Sequence, residues 1–355
     1  MAEPTLLDLP FDVLRGRLTR SGQPAYRASQ IWQAVYRDLT TRYPDMTTLP
    51  VSLRERLAES LPLQLPAPEA HQHSADRRTT KTLLRLADGE AIEAVLMRYD
   101  ARDTVCVSTQ IGCAMACRIC ATGQGGFTRD LSPGEIVGQV LHAARTFREE
   151  GEHLTNVVYM GMGEPFRNYD ATLASIRILN DPRGLGLGAR SFTVSTVGIV
   201  PAIERFAEEG LQVHLAVSLH TGEDELRSRL LPINRTYPLD RLLEACRTYV
   251  ARTNRRITFE VALIDGVNDS PSQARALADR LRGILCHVNL IPFNPIPGAP
   301  WRRSSDAHVA EFADILDGRG VSVTVRMRRG VEIEAGCGQL RTGRSAATER
   351  DDASP

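Results

Sequence analysis

Apolar positions in the first part of the chain recur at the spacing of helical faces. They fall at Ala28, Ile31, Trp32, Val35, Tyr36, Leu49, Leu53 and Leu57, a pattern typical of amphipathic helices. The stretch LPLQLPAPEA, residues 61–70, contains three prolines and predicts a linker. We therefore predict a small N-terminal helical accessory domain over residues 1–75.

Beyond this point the pattern changes to short apolar runs typical of strands. TLLRLADGEAIEAVLM, within residues 76–98, predicts a linker and a β-hairpin that turns at Asp88-Gly89. Six runs separated by helical segments follow: TVCVSTQ, LTNVVYMG, SFTVSTVG, LQVHLAVSLH, RITFEVALID and CHVNLIPFN. The first helix between them begins with Ser132 as N-cap, Pro133 at its first position and Glu135 closing a capping box.

Six β-α units in series predict a parallel sheet with right-handed crossovers. We therefore predict an α/β fold, a partial (β/α)6 barrel over residues 99–332, with a further strand at VSVTVRM. A C-terminal segment over residues 333–355 ends in a polar tail that we expect to be disordered. Chemistry in such folds gathers at the carboxyl ends of the strands, where this chain carries the GMGEP segment and several small or polar residues.

The charge of the chain is balanced, with 43 basic and 43 acidic residues. The molecule as a whole therefore does not attract a polyanion, and any polyanion partner would be held by local patches. No apolar run reaches the roughly 18–20 residues of a membrane span, and the N-terminus lacks the basic start of a signal peptide. We expect a cytoplasmic protein without a membrane partner, in which thiols stay reduced.

Four of the seven cysteines lie within the stretch VCVSTQIGCAMACRIC. Cys113, Cys117 and Cys120 have the spacing C-x3-C-x2-C, and such thiolate groups bind iron–sulfur clusters or zinc. A cubane cluster held by three cysteines leaves one iron open for a substrate or cofactor. The alternative is a structural zinc site completed by Cys106 or by a histidine.

Longer motifs resemble a known family. C-x3-C-x2-C after the first barrel strand, followed by GMGEP, resembles the radical S-adenosylmethionine (SAM) superfamily. Within this superfamily the chain resembles the subgroup that contains RlmN and Cfr. The segments that carry this resemblance are, in order, QIGCAMACRICATGQGGFTRDLSPGEIVGQV, NVVYMGMGEPFRN, TVSTVG, AVSLH, LLPINR, NLIPFNP and EAGCGQLR. The resemblance covers residues 93–340, and the N-terminal helical unit also fits. One departure is Ile119, since many members carry an aromatic residue before the third cysteine.

The resemblance implies a role for each residue of the site. Cys113, Cys117 and Cys120 would bind a [4Fe-4S] cluster whose fourth iron is chelated by SAM. The residues implied to contact SAM are Gly163, Glu164, Ser195, Ser218, Leu219, His220 and Asn294. Cys337 and Cys106 would be the catalytic thiols, and Glu93 the proton acceptor.

The resemblance also implies a two-stage reaction on C2 of an adenine, an electrophilic carbon that requires radical chemistry. Cys337 takes a methyl group from one SAM by displacement. A second SAM, cleaved reductively at the cluster, provides the radical that activates this methyl group for addition to the ring. Glu93 removes the ring proton, and Cys106 attacks the sulfur of Cys337, which releases the RNA and leaves a transient disulfide.

The expected substrate is therefore 23S ribosomal RNA, with transfer RNA as a second candidate, and the expected electron donor is flavodoxin or ferredoxin. We expect a monomer. The same motifs fit a Cfr-like enzyme that methylates adenine C8, and a non-catalytic, zinc-stapled RNA-binding protein is the alternative from another class. The candidate RNA-contacting patches are residues 77–81, 302–303 and 326–329.

Overall fold

The computed structural model describes residues 4–326 and 330–340 of the 355-residue chain. Its strands are β1 (Ala67–His73), β2 (Thr79–Arg85), β3 (Ala91–Tyr99), β4 (Arg102–Cys106), β5 (Gln110–Gly112), β6 (Phe127–Asp130), β7 (Leu154–Tyr159), β8 (Phe192–Thr196), β9 (His214–Ser218), β10 (Ile257–Leu263), β11 (Cys286–Pro292) and β12 (Val323–Val325). Its α-helices are α1 (Phe11–Arg20), α2 (Tyr26–Tyr36), α3 (Val51–Ser60), α4 (Ala121–Gln124), α5 (Pro133–Glu149), α6 (Tyr169–Asn180), α7 (Val200–Phe206), α8 (Asp224–Leu230), α9 (Leu239–Thr253), α10 (Pro271–Leu281) and α11 (Asp306–Gly318). The predicted disordered tail and Met327 to Arg329 lie outside the described residues.

Ten strands form one sheet in the order β1-β2-β3-β4-β7-β8-β9-β10-β11-β12. Every neighbouring pair from β4 to β12 is parallel. The six predicted strands, the further strand at β12 and the α/β class with a partial barrel are therefore confirmed. Because these strands are parallel, their carboxyl ends meet at one rim, where the predicted site residues lie.

The predicted hairpin is also confirmed. β2 and β3 pair antiparallel, and between them the Leu86 N–H donates to the Glu90 carbonyl at 2.8 Å. Gly89 in this turn has a φ of +85°, which glycine adopts without strain. β3 in turn pairs antiparallel with β4, with Val95 opposite Cys106. The hairpin therefore extends the barrel sheet rather than standing apart from it.

The prediction of a linker over residues 61–70 is wrong for its last part. Residues 67–70 begin β1, which pairs antiparallel with β2 and forms the edge of the sheet. All seven residues of β1 are exposed, so no buried apolar face marks this strand in the sequence. Proline at an edge strand removes no ladder hydrogen bond that is needed, which is why Pro68 is tolerated there.

The N-terminal helices pack against the barrel. Trp32 and Tyr36 are almost completely buried, and their ring centroids lie 4.4 Å apart. They belong to the same core as the barrel strands. Trp32 and Tyr36 therefore form core rather than an exposed stacking surface.

The start of α5 joins the two parts of the molecule. Ser132 Oγ accepts from the Glu135 N–H at 3.1 Å, and the Ser132 N–H donates to Glu135 Oε2 at 2.8 Å, which confirms the predicted capping box. Asp8, from the N-terminal unit, accepts from the Gly134 N–H at 2.7 Å. This carboxylate lies at the positive end of the helix dipole, where negative charge is stabilising. Among the described residues, no helix has both the length and the apolar composition that crossing a membrane requires.

Candidate active site

Two cavities meet at the carboxyl ends of the barrel strands. The larger, of about 170 Å³, is lined by residues at the ends of β7 to β11 and by the cysteine loop. The smaller, of about 40 Å³, lies between β3, β4, β7 and the segment 331–340. Five residues line both cavities: Met160, Ile291, Asn294, Arg326 and Cys337.

Cys113, Cys117 and Cys120 all line the larger cavity. Their loop is held by a two-stranded hairpin of β5 and β6, which the sequence pattern did not reveal. The Cys113 N–H donates to the Gly126 carbonyl at 2.6 Å. A Cβ at Gly112 would lie 2.1 Å from the same oxygen, so only glycine fits there. This close approach of two backbones brings the three thiols to one cavity.

The environment of these thiols is suited to a bound metal. Burial raises the pKa of Cys113 to about 12 and raises the pKa of Cys117 well above its ordinary value. The other cysteines of the loop and Glu164 raise both further. These raised pKa values favour the protonated thiols. Metal binding favours the thiolates instead, because it releases the thiol protons.

At least two of the three sulfurs lie more than 4.8 Å apart, farther than a single zinc ion would hold them. In the described part of the chain, only Asp265, Asp269 and His308 bring three metal-ligating atoms within 4.8 Å of one another. A zinc ion with Zn–S bonds of about 2.3 Å would hold its sulfurs about 3.8 Å apart. Of the fourth ligands that the zinc alternative offers, Cys106 lines the smaller cavity instead, whereas a histidine, His220, lines the larger one. It is the separation of the sulfurs that favours a larger cluster over zinc.

The GMGEP segment follows β7 and forms one side of the larger cavity. Gly163 has a φ of +100°, and a Cβ there would lie 2.6 Å from the Gln110 side chain. Glu164 is buried, and its carboxylate accepts from the Val197 N–H at 2.7 Å and the Phe166 N–H at 2.9 Å. Burial raises the pKa of Glu164 to about 7, although these backbone donors oppose the shift. A cationic group bound in the cavity would favour the ionised carboxylate.

Ser195, Ser218, His220 and Asn294 also line the larger cavity. The His220 ring is buried and accepts from the Ala262 N–H through Nδ1 at 3.0 Å. Burial lowers the pKa of His220 to about 3, so the ring is neutral and carries its proton on Nε2. His220 can therefore donate a hydrogen bond without adding charge.

Leu219 lies apart from these residues. Its side chain is completely buried in the main hydrophobic core. Its N–H donates to the Glu260 carbonyl at 3.0 Å. Leu219 thus helps to fix the turn that carries Ser218 and His220.

Arg227, which no motif in the sequence predicts, holds together two loops that line this cavity. Its guanidinium is completely buried and donates to the Val197 carbonyl at 2.7 Å, the Ser218 carbonyl at 3.0 Å and Asn234 Oδ1 at 2.7 Å. Burial lowers the pKa of Arg227 to about 10. The contacts tie together the loops after β8 and β9. No local signal in LRSRLL marks an arginine as buried.

Segment 330–340 carries Cys337 to the boundary of the two cavities. Asn294 Nδ2 donates to the Cys337 carbonyl at 3.2 Å, and the Ala121 N–H donates to the Gly338 carbonyl at 2.7 Å. Ala121 directly follows the third cysteine of the loop. The structure therefore brings the far end of the chain beside the cysteine loop.

Cys106 ends β4 and lines the smaller cavity together with Cys337. Burial raises the pKa of Cys106 to about 12, and negative charge on Cys337 raises it further. All seven cysteines are free thiols. The two predicted catalytic cysteines thus face one cavity, with Cys106 held in its protonated form.

Glu93 lies on β3, two residues before Val95, which lines the smaller cavity. Its carboxylate is buried and lies 3.1 Å from Nζ of Lys81. Lys81 also donates to the Glu334 carbonyl at 3.4 Å. The only lysine of the chain therefore forms an ion pair in the interior, and the prediction that it belongs to an exposed RNA-binding patch is wrong.

The position of Arg326 also contradicts its assignment to a candidate RNA-contacting patch. Its Nη1 donates to Cys337 Sγ at 3.1 Å. The negative charge of Cys337 raises the pKa of Arg326 and outweighs the opposing effect of burial. Arg326 is therefore part of the candidate site rather than of an exposed basic face.

Comparison with known proteins gives matches over almost the whole chain. Residues 107–277 match the radical SAM superfamily, and residues 5–62 match the ribosomal RNA large subunit methyltransferase N-terminal domain. The chain is 47% identical to a probable dual-specificity RNA methyltransferase RlmN of Roseiflexus castenholzii, with 96% of each chain covered. It is 48% identical to the corresponding protein of Chloroflexus aurantiacus, with 96% of this chain and 93% of the relative covered.

A solved structure agrees over almost the whole chain. The crystal structure of a radical SAM methyltransferase from Sphaerobacter thermophilus is 54% identical in sequence and superimposes with a TM-score of 0.94. The match covers 96% of this chain and 99% of that one.

Proposed function

Since this chain belongs to the RlmN family of radical SAM RNA methyltransferases, we propose that it methylates C2 of an adenine in 23S ribosomal RNA through an S-methylcysteine at Cys337. The observation that carries the proposal is the position of Cys337. It lines both the cavity of the cysteine loop and the cavity of Cys106. One sulfur can thus receive a methyl group on one side and deliver it on the other.

The residues of the larger cavity fit a [4Fe-4S] cluster and SAM. Cys113, Cys117 and Cys120 would hold the cluster as three soft ligands. SAM would occupy the remaining space against Gly163, Glu164, Ser195, Ser218, His220 and Asn294, with Leu219 supporting the turn beneath. When bound, these groups supply a transferable methyl group and a radical able to remove hydrogen from carbon.

The buried Glu164 carboxylate is suited to bind an ammonium group. Its pKa of about 7 falls when a cation lies beside it, because opposite charge favours the ionised form. The carboxylate is already oriented by two backbone N–H groups. Orientation before binding reduces the entropy lost on binding.

Cys337 would act as the methyl-carrying nucleophile. A thiolate is the strong nucleophile that methyl transfer requires, and a guanidinium at 3.1 Å from its sulfur stabilises negative charge there. Segment 330–340 is held through the backbone carbonyls of Cys337 and Gly338. These contacts leave the electron pairs of the Cys337 sulfur available for reaction.

Cys106 would release the product. Its sulfur would attack the sulfur of Cys337, and the carbon–sulfur bond to the RNA would break with its electron pair going to carbon. That carbon takes up a proton to complete the methyl group, and a disulfide forms between the cysteines. An external thiol reductant must then supply two electrons. The high pKa of Cys106 keeps this thiol inactive until a base removes its proton.

Glu93 would accept the proton that leaves the adenine ring. Its side chain lies on the same face of β3 as that of Val95, and Val95 pairs with Cys106 on β4. Lys81 at 3.1 Å favours the ionised form of Glu93. An ionised carboxylate is the form that can act as a base.

The proposal includes transfer RNA as a further candidate substrate. It also includes an electron donor such as flavodoxin or ferredoxin. The N-terminal helical unit supports the RNA assignment, because residues 5–62 match a domain found in ribosomal RNA methyltransferases. The adenine must be unstacked to reach the smaller cavity, which costs a few kcal/mol. Phosphate contacts can offset this cost.

The test is mass spectrometry of nucleosides from 23S ribosomal RNA and transfer RNA of cells with and without this gene. We expect 2-methyladenosine to disappear from one position of 23S RNA when the gene is absent. A methyl group on C8 would instead establish the Cfr-like alternative. Protein purified without oxygen should contain about four irons per chain, whereas stoichiometric zinc would refute the catalytic proposal.

A further inference from the structure

Arg326 alone carries a permanent charge among the five residues that line both cavities. Its Nη1 donates to Cys337 Sγ at 3.1 Å. Its backbone N–H donates to the Leu290 carbonyl at 2.8 Å, directly after β12. The cation is therefore anchored to the barrel, whereas the sulfur belongs to the segment 330–340.

Several titratable groups face this pair. They come from different elements: Tyr99 on β3, Cys106 on β4 and Glu260 on β10. The cysteines of the loop and Glu164 line the larger cavity that Cys337 also lines. The surroundings of Cys337 are thus mostly acidic, and Arg326 is the cation placed against its sulfur.

We propose that Arg326 is a positioning residue that orients the Cys337 sulfur for methyl transfer through the guanidinium–sulfur contact, and that methylation of this sulfur breaks the contact. The inference rests on the proposed function. A hydrogen bond between a guanidinium and a thiolate is charge-assisted and strong. A thioether is uncharged and a weak acceptor, so the methylated side chain is no longer held.

The charges in the transfer balance. The thiolate of Cys337 uses one electron pair to form the new sulfur–carbon bond, and the methyl–sulfonium bond of SAM breaks with its pair returning to that sulfur. No proton moves, and nothing is oxidised or reduced. Arg326 loses its anionic partner in this step and keeps the buried Glu260 carboxylate as the nearby acidic group.

Release of the sulfur gives a reason for Cys337 to line both cavities. The contacts that anchor its neighbourhood use the carbonyls of Cys337 and Gly338, which methylation does not change. Gly336 and Gly338 flank the cysteine, and neither adds a side chain that would restrict it. The methylated side chain can therefore turn toward the cavity of Cys106 while the backbone stays in place.

The first test measures carboxymethylation of Cys337 by iodoacetamide in cofactor-free protein, followed by peptide mass spectrometry. Because the thiolate is the reacting form, Arg326→Gln should slow the reaction at pH 7 at least tenfold, and Arg326→Lys should slow it less. Arg275→Gln, at an exposed arginine outside the candidate site, is the matched control, and half-buried Cys286 is the internal reference.

The second test separates loading from delivery. Loading of the methyl group onto Cys337 should slow at least tenfold in Arg326→Gln, whereas single-turnover delivery to RNA from protein already methylated on Cys337 should slow less than loading does. Equal carboxymethylation rates of Cys337 in the variant and wild type, a loss that affects Cys286 equally, or loading and delivery slowed by the same factor would overturn the proposal. Slowed carboxymethylation together with an absence of methylated RNA in any assay would leave the Arg326–Cys337 pair standing and refute the proposed function.

Discussion

Replacing Lys81 by methionine should destabilise this protein strongly, although it changes only one side chain. Lys81 Nζ lies 3.1 Å from the Glu93 carboxylate, and the two side chains are only 9% and 8% exposed. Methionine fills a similar volume without a charge. The substitution therefore leaves the Glu93 carboxylate buried without this cation.

The magnitude follows from an asymmetry of buried ion pairs. An intact pair contributes little net stability, because the attraction between the charges roughly offsets the cost of removing them from water. Removal of one partner leaves an uncompensated charge and costs about 3–5 kcal/mol. Glu93 has a further interaction besides Lys81, so we expect about 3 kcal/mol. At about 1.3 °C per kcal/mol for a chain of this length, the melting temperature should fall by about 4 °C.

Urea denaturation of cofactor-free protein, followed by circular dichroism, measures the free energy of unfolding. Lys81→Arg is the matched control that keeps the charge. The double variant Lys81→Met with Glu93→Leu removes both charges and should recover most of the lost stability. A loss below about 1 kcal/mol in the single variant, or a double variant no more stable than the single one, would refute the reasoning from a buried pair.

Four further predictions concern the site itself. Cys337→Ala should abolish both methylation and covalent adducts, whereas Cys106→Ala should accumulate a protein–RNA adduct on denaturing gels; normal turnover of the second variant would contradict its role in release. The pKa of Glu164 is raised from 4.5 to about 7, so its contribution to stability, about 3 kcal/mol at about 1.4 kcal/mol per unit, is present below pH 4.5 and lost as pH rises through 7. Melting curves of cofactor-free protein should therefore show the advantage of wild type over Glu164→Gln shrinking from pH 5 to pH 8, and a constant difference would exclude this linkage. Arg227→Met removes three buried hydrogen bonds and should lower urea stability by at least about 3 kcal/mol, with Arg227→Lys failing to restore it; a neutral result would show that these contacts are dispensable. Gly163→Ala, strained at a φ of +100° and in contact with Gln110, should weaken SAM binding in equilibrium dialysis at least tenfold, whereas Gly151→Ala, at a surface turn with open space, should not.

The parallel strands and their helices were predictable because their signals are local. Apolar runs mark the buried strands, and Ser132, Pro133 and Glu135 mark the start of α5 within four residues. β1 was missed because all of its residues are exposed. The β5–β6 hairpin was missed because its strands are too short to show an alternating pattern.

The residues of the candidate site were identified mainly through motifs, and all of them except Glu93 and Leu219 line one or both of the two cavities. Arg227 was not identified, and Arg326 and Lys81 were assigned to exposed patches, because a basic residue on an exposed face and one that is buried look the same in a sequence. Burial depends on which distant elements pack together, and local composition does not report it.

The amino-acid sequence by itself determined the order of strands and helices, the cysteine spacing suited to a cluster, and the absence of a strong overall charge. These properties act through hydrogen bonds and side-chain periodicity over a few residues. Only the tertiary structure decided that Cys337 lies between the cysteine loop and Cys106, that Arg326 contacts its sulfur, and that Lys81 pairs with Glu93. Contacts between residues far apart in the chain form only when the folded sheet brings their strands and segments together, and it is burial against that sheet that makes their charges matter.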